Sequence, residues 1–242
     1  GYTMQFFSTG SGVLATMLRD RGVDWFRDFR PVAQFGSLNL MLTSPTGRGY
    51  KTPKGLVEAI NAADAKGKKL RWGHPGRGSV TNVSVIAWLI KNGLLNKVQD
   101  VPFKGGAPTK AALLGGQVDF GILAVHHIKG LENKLDGLGI FANERDPLQK
   151  QVPAMKEMGL PFVPFYTPMI MAVPAKTPQH IIDTMEAAIK KATETKAFKK
   201  LTKKIGIVVK YQDSKPTLAM MEKLREEWLP TINFIKKTRM KK

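Results

Sequence analysis

The sequence predicts an α/β protein in which a mostly parallel sheet is covered by helices. Two observations point there. Short apolar runs alternate along the chain with longer segments of helical spacing, the order that strand-helix-strand units leave in a sequence. Hydrophobic residues make up 43% of the 242 residues, with aromatics spread throughout, so the chain can bury a core and disorder is not its default despite a large charge imbalance. That length suits one large domain or two small ones joined by a hinge.

The elements follow in order. Residues 2–7 form an apolar, aromatic run that reads as a strand entering a polar loop, Ser8-Thr9-Gly10-Ser11-Gly12. Apolar runs around Val32 and over residues 38–42 read as two strands or one broken strand. Thr52 and Pro53 are the N-cap and first position of a helix that carries Leu56, Ile60 and Ala63 on one face and stops near Lys66-Gly67. Residues 69–73 are a short strand and residues 74–78 a glycine-rich turn. Val83, Ile86, Ala87 and Ile90 then mark a helix closed near Gly93. Residues 98–103 are the next strand, 108–114 a short helix ending at Gly115-Gly116, and 118–123 a buried strand. Residues 139–142 and 169–173 read as strands. Residues 178–193 read as a helix capped by Thr177, with Ile181, Met185 and Ile189 on one face. Asp213-Ser214 caps a last helix through Leu218, Met221, Leu224 and Trp228, which Pro230 is expected to kink or interrupt.

Thirty-eight Lys and Arg against nineteen Asp and Glu leave a formal charge of +19, which suits a polyanion partner. Much of the excess lies in Lys190, Lys191, Lys196, Lys199, Lys200, Lys203 and Lys204, and again in Lys236, Lys237, Arg239, Lys241 and Lys242. Only Phe198 is interleaved with the first cluster and no aromatic with the second, whereas single-stranded nucleic acids are held by stacking aromatics set among cations. These clusters therefore read as solvated helix faces and a tail, and nucleic-acid or polyanion binding is the second reading. The absence of cysteine excludes thiolate metal sites, a catalytic thiol and disulfides. No apolar run approaches the length of a membrane span, and the N-terminus lacks the order of a signal peptide.

Three turns are candidate anion sites. Trp72-Gly73-His74-Pro75-Gly76-Arg77-Gly78-Ser79 lies between a strand and a helix, where free N–H groups and the helix dipole favour an anion. The plain alternative is a tight turn. It is not a nucleotide P-loop, because Gly78 is followed by Ser79-Val80 and not by Lys and Ser or Thr. Val101-Pro102-Phe103-Lys104-Gly105-Gly106-Ala107-Pro108 is a second strand-to-helix turn with Lys104 placed to face the first, or simply solvated. Ser8-Thr9-Gly10-Ser11 is a third, at a strand end of the kind that α/β sheets use for ligands. No catalytic residue, metal site or cofactor motif is found. His126 and His127 are sequential and make a poor metal pair, so they read as structural or surface residues. Asp119 reads as a hydrogen-bonded structural aspartate, and Met169 and Met171 as core fillers.

Gly1-Tyr2-Thr3 ahead of an apolar strand, the Val101–Pro108 segment and Leu114-Gly115-Gly116-Gln117-Val118-Asp119 resemble successive landmarks of the Bug-type periplasmic substrate-binding receptors of tripartite tricarboxylate transporters. Gly159-Leu160-Pro161, Pro174-Ala175-Lys176-Thr177-Pro178 and Glu227-Trp228-Leu229-Pro230-Thr231-Ile232 extend the resemblance over almost the whole chain. It implies a type II periplasmic-binding fold, with residues 1–39 and 139–242 as lobe 1, residues 40–138 as lobe 2, and a small organic carboxylate held in a cleft that closes by hinge motion. It further implies ligand contacts from Ser8, Thr9, Gly10 and Ser11 in lobe 1, and from His74, Gly76, Arg77, Gly78, Ser79, Val80, Lys104 and Gly105 in lobe 2. No cofactor and no chemistry are implied. The implied location is the periplasm and the implied partner a membrane permease, with nucleic acid disfavoured. Members carry a further strand, ligand loop, helix and strand ahead of the position of Gly1, so the chain is expected to lack that strand-helix-strand segment. Arg77 stands where relatives carry a small polar residue and His74 where they carry a small one. Arg77 thus either pairs with a second carboxylate on the ligand or points into solvent.

Overall fold

The structure is a computed structural model that describes residues 3–20, 22–165 and 167–239, with the backbone alone for Ser11 and Arg239. Gly1 and Tyr2 of the first landmark, and Lys241 and Lys242 of the basic tail, lie outside the described residues, as do the side chains of Ser11 and Arg239. The strands are β1 (Gln5–Ser8), β2 (Phe29–Leu38), β3 (Leu40–Pro45), β4 (Leu70–His74), β5 (Val98–Pro102), β6 (Phe120–Ala124), β7 (Leu135–Ile140), β8 (Thr167–Pro174) and β9 (Val208–Asp213). The helices are α1 (Ala15–Leu18), α2 (Trp25–Asp28), α3 (Pro53–Asp64), α4 (Val80–Lys91), α5 (Gly106–Leu114), α6 (Gln179–Glu194), α7 (Lys196–Ile205) and α8 (Ser214–Arg239).

The chain forms two units, Gly1–Leu38 with Thr167–Lys242, and Asn39–Tyr166. In the first, four strands pair in the order β1-β8-β2-β9, every pair antiparallel. In the second, five strands run β5-β4-β6-β3-β7; β4 is parallel to β5 and β6, while β3 is antiparallel to β6 and β7. The expectation of a mostly parallel sheet is corrected: among the described strands, parallel ladders join only β4, β5 and β6, the strands linked through α4 and α5. Local alternation reports only connections made by a helix. β2 meets β8 across a long excursion through the other unit, and the direction of that pairing leaves no local trace.

The return between units, expected at residue 139, lies at Thr167 instead. The intervening stretch is tied to the second unit by its backbone: Phe141 N–H donates to Leu40 O at 2.9 Å, Ile140 N–H to Pro153 O at 3.0 Å and Phe165 N–H to Phe141 O at 3.2 Å. Three further details differ from expectation. Residues 10–14 are not a loop but a wide turn closed by Leu14 N–H on Thr9 O (2.9 Å) that runs into α1. Pro178, not Thr177, stands at the N-cap of α6. Helix α8 passes uninterrupted through Pro230, because the carbonyl that proline deprives of a donor belongs to exposed Glu226 and is left to water.

Each unit has its own core. The four tryptophans are at most 1% exposed, Trp25 and Trp228 in the first unit and Trp72 and Trp88 in the second, and truncating any of them is worth about 3–5 kcal/mol. Helix α4 is buried from Thr81 to Leu89, so it is apolar nearly all round and serves as an internal helix of the second unit. Thr52 caps α3 by accepting Gly55 N–H at 3.1 Å, and Pro53 occupies its first turn, as expected. Asp119 is the structural aspartate foreseen: its carboxylate accepts Arg71 N–H at 2.8 Å and pairs with Arg48 at 3.0 Å.

Candidate functional site

In the second unit the parallel strands β4 and β5 end side by side, with His74 opposite Pro102. The two glycine-rich turns leave from this edge, the one on which α/β sheets place ligands. His74 O accepts both Gly76 N–H (2.8 Å) and Phe103 N–H (2.9 Å), so one carbonyl ties the turns together. Gly76 has φ 106° and Gly105, which precedes the first turn of α5, has φ 111°. Both conformations are open to glycine and strained for any residue with a side chain.

The start of α4 is held by a small network. Ser79 Oγ accepts Asn82 N–H (3.2 Å) as the N-cap and donates to Gly76 O (2.7 Å). Asn82 Oδ1 accepts Gly78 N–H (3.1 Å), and its Nδ2 faces His74 Nε2 at 3.3 Å. With the amide oxygen committed to Gly78, the amide NH2 is turned toward Nε2, the arrangement that suits a neutral imidazole, and Nδ1 is buried without a hydrogen-bond partner among the described residues. Burial is the main cause pushing the His74 pKa below its ordinary value, in the same direction. The His74 ring is fully buried and lies 4.6 Å from the Trp72 ring, so it shapes the turn from within.

Arg77 projects outward, its side chain 69% exposed, with Nη2 at 3.2 Å and Nε at 3.3 Å from Asp100 Oδ2. His74 Nε2 lies 3.6 Å from the same oxygen. Lys104 is exposed on the second turn. Strand β6 runs parallel to β4 and leads at its C-terminal end to His126 and His127, whose rings lie 4.2 Å apart. A Cβ at Gly106 would stand 2.8 Å from His127 Nε2, so that ring is packed against the first turn of α5. Burial lowers the pKa of both histidines, with Lys110 acting in the same sense.

In the first unit Ser8 ends β1 in register with Met169. Thr9 is 1% exposed, and its Oγ1 is buried without a hydrogen-bond partner among the described residues. Gly10 opens the wide turn, and the Ser11 side chain lies outside the described residues.

The structure thus brings His74, Gly76, Arg77, Gly78, Ser79, Val80, Lys104 and Gly105 to one edge of the second unit, and places Ser8, Thr9 and Gly10 at a strand end of the first. Sequence reasoning missed Asn82 and Asp100. The signal for Asn82 was its place three residues after the capping serine, where a residue with an acceptor side chain closes a cap; Asp100 carried no local signal. A cavity of about 260 Å3 in the second unit is lined by Lys51, Glu132 and Asp136 over an apolar floor, and none of the expected site residues lines it. Among the described residues no group of three His, Asp or Glu is placed to hold a metal ion. What the edge offers is backbone N–H groups, two helix N-termini and exposed cations, the equipment for binding an anion.

A family model described as tripartite tricarboxylate transporter family receptor matches residues 1–236. The chain is 26% identical over 184 residues to the UPF0065 protein of the tcbD-tcbE intergenic region of a Pseudomonas species, covering 75% of this chain and 53% of that protein. It spans 53% to 65% of the length of the curated relatives it matches. Among solved structures it is similar to Rpa4515 of Rhodopseudomonas palustris with adipate (TM-score 0.77, 20% identity, 96% of this chain and 78% of that one). It is also similar to MatC of the same organism with bound malate (TM-score 0.73, 24% identity, 95% and 79%). These likenesses establish the α/β fold of the solute-binding receptors.

Proposed function

The chain belongs to the tripartite tricarboxylate transporter receptor family, and from that premise we propose that it captures a small organic carboxylate outside the cytoplasm and delivers it to a membrane permease. The structural observation that carries the reading is the edge at which β4 and β5 end together, with both turns tied to His74 O and opened by glycines. Backbone amides there recognise a carboxylate generically, while the dipoles of α4 and α5 each favour its charge by about 0.3–1 kcal/mol. The adipate and malate in the similar structures make dicarboxylates the first class to test.

Roles divide within the second unit. Val80 and Gly105 supply main-chain donors, Gly76, Gly78 and Ser79 hold the turn in shape through their own hydrogen bonds, and Arg77 and Lys104 supply mobile positive charge. His74, buried and neutral, is a positioning residue that acts through Asn82. In the first unit Ser8, Thr9, Gly10 and Ser11 form a second donor turn, where the unpaired Thr9 hydroxyl is the kind of buried donor that a bound carboxylate satisfies. The proposal assigns the chain no chemistry and no cofactor.

A thermal-shift screen followed by calorimetry tests this, with malate, adipate, a tricarboxylate, an aromatic acid and a short oligonucleotide as ligands. One acid class is expected to raise the melting temperature, since a ligand at a hundred times its Kd adds about 2.7 kcal/mol. A sample that melts cooperatively and responds to no acid overturns the reading for this chain.

A further inference from the structure

Helix α7, in the first unit, carries Lys196, Lys199, Lys200, Lys203 and Lys204, all exposed, and no acidic residue. Lys190 and Lys191 at the end of α6 and Lys210 on β9 are exposed as well, while Glu194 is the one acidic residue between positions 190 and 210. Among the described residues no ion pair involves a lysine of α7. Lys196 and Lys200, Lys199 and Lys203, and Lys200 and Lys204 are each four apart, so they stand over one another and repel. The helix forms nonetheless because both ends are closed: Thr195 accepts Phe198 N–H at 3.2 Å, and Gly206 takes the left-handed conformation at φ 77°.

The apolar residues of α7 are divided. Thr202 is buried and Phe198 packs edge-on to Phe35, ring centroids 6.0 Å apart. Leu201 and Ile205 are 55% and 45% exposed. These two are one turn apart, and Leu201 is three residues from Lys204, so an open aliphatic strip adjoins the lysines. We infer that α7, with Lys190, Lys191 and Lys210 around it, is a docking surface for an anionic lipid bilayer, lying in its interface with Leu201 and Ile205 turned toward the acyl boundary.

Charge complementarity and the aliphatic strip together select this occupant. Anionic headgroups relieve the repulsion among the lysines, and the interface accepts Leu and Ile side chains as it accepts those of other basic amphipathic helices. A nucleic acid would meet the cations equally well, but it has no use for exposed aliphatic groups and prefers stacking aromatics; Phe198 is already engaged with Phe35. The surface does not depend on the carboxylate reading. It would hold a receptor close to membrane-embedded machinery.

The test is co-sedimentation of the whole chain with vesicles of phosphatidylglycerol and phosphatidylcholine in equal parts, against phosphatidylcholine alone and against duplex DNA. Binding is expected to the anionic vesicles and not to phosphatidylcholine alone, to be tighter than to duplex DNA, and to weaken with salt. Each Lys→Gln change among Lys199, Lys200, Lys203 and Lys204 should lower partitioning about fivefold. Leu201→Asn with Ile205→Asn, which leaves the charge intact, should weaken vesicle binding further while leaving DNA binding unchanged. Near-UV circular dichroism confirms the fold of each variant, and the acid-induced thermal shift should be the same in all of them, so failure here is separable from failure of the carboxylate reading. The inference is overturned if anionic vesicles are not bound, if the α7 substitutions leave vesicle binding unchanged, or if duplex DNA is bound more tightly than the vesicles.

Discussion

Asn82→Ala is the perturbation that most directly tests how the site is built. Asn82 is 3% exposed and holds two groups at once, Gly78 N–H at 3.1 Å and His74 Nε2 at 3.3 Å. Losing the first bond, at a half-open turn, costs about 0.5–1.5 kcal/mol, and stranding the fully buried imidazole nitrogen costs about 1–3 kcal/mol, so the variant should lose roughly 2–4 kcal/mol. Urea unfolding at about pH 8, where even an unperturbed histidine is neutral, measures this without a change in protonation. Hydrogen exchange at the Gly78 amide reports the same event locally. His74→Leu removes the nitrogen that Asn82→Ala strands. The double variant should therefore cost about 1 kcal/mol less than the sum of the two single changes. A loss below about 0.5 kcal/mol, or strict additivity, would refute the network, and with it the role of His74 as a positioning residue.

Arg77→Ala should change stability by less than about 1 kcal/mol, since its partnership with Asp100 is largely exposed. It should weaken a dicarboxylate more than a monocarboxylate, and equal weakening of both in calorimetry would remove Arg77 from the distal-carboxylate role. The pKa of His74 lies below the ordinary value of 6.5, chiefly through burial, and the same holds for His126 and His127. The folded state then binds fewer protons than the unfolded one, so stability is fully present above that value and falls as pH drops below it. The limiting slope is about 1.4 kcal/mol per pH unit for each residue, readable from melting temperatures against pH and flattened in His74→Leu. Pro230→Ala restores a helical hydrogen bond on the solvent face of α8 and should stabilise by about 1 kcal/mol; destabilisation in urea would show that the proline helps to seat Trp228 and Ile232.

Much of the site was legible because its chemistry is local. Glycines at 76, 78 and 105 mark turns that side chains would strain, and Ser79 at the head of an apolar run is a helix cap, so the tight turn over 74–80 and the helix start that follows it can be read from sequence spacing. What could not be read is what depends on distant partners. Asp100 gains its place only because β5 lies parallel to β4, and the all-antiparallel sheet of the first unit is assembled from strands more than a hundred residues apart. The same blindness explains α7 and β9. A run of lysines looks solvated whether or not Leu201 and Ile205 remain open, and only the packing of Phe198 and Thr202 shows which apolar residues are spent on the core.

His74 and Arg77, which the sequence reading set apart as departures from the family pattern, both lie beside one oxygen, Asp100 Oδ2, at 3.6 and 3.2 Å. That convergence gives the departures a common sense. A buried neutral histidine contributes shape and no charge, leaving Arg77 as the cation that Asp100 holds at the mouth of the turn. An exposed pair of this kind is worth about 0.2–1 kcal/mol, which a ligand carboxylate can readily outbid by bidentate contact. On the proposed carboxylate reading Asp100 opposes binding twice over, by retaining Arg77 and by repelling the incoming anion. Asp100→Asn should then tighten dicarboxylate binding by up to about fivefold, with the gain lost when Arg77→Ala is added. Weaker binding in Asp100→Asn would show instead that the ion pair holds Arg77 in its productive place, making Asp100 part of the receptor's grip and not its competitor.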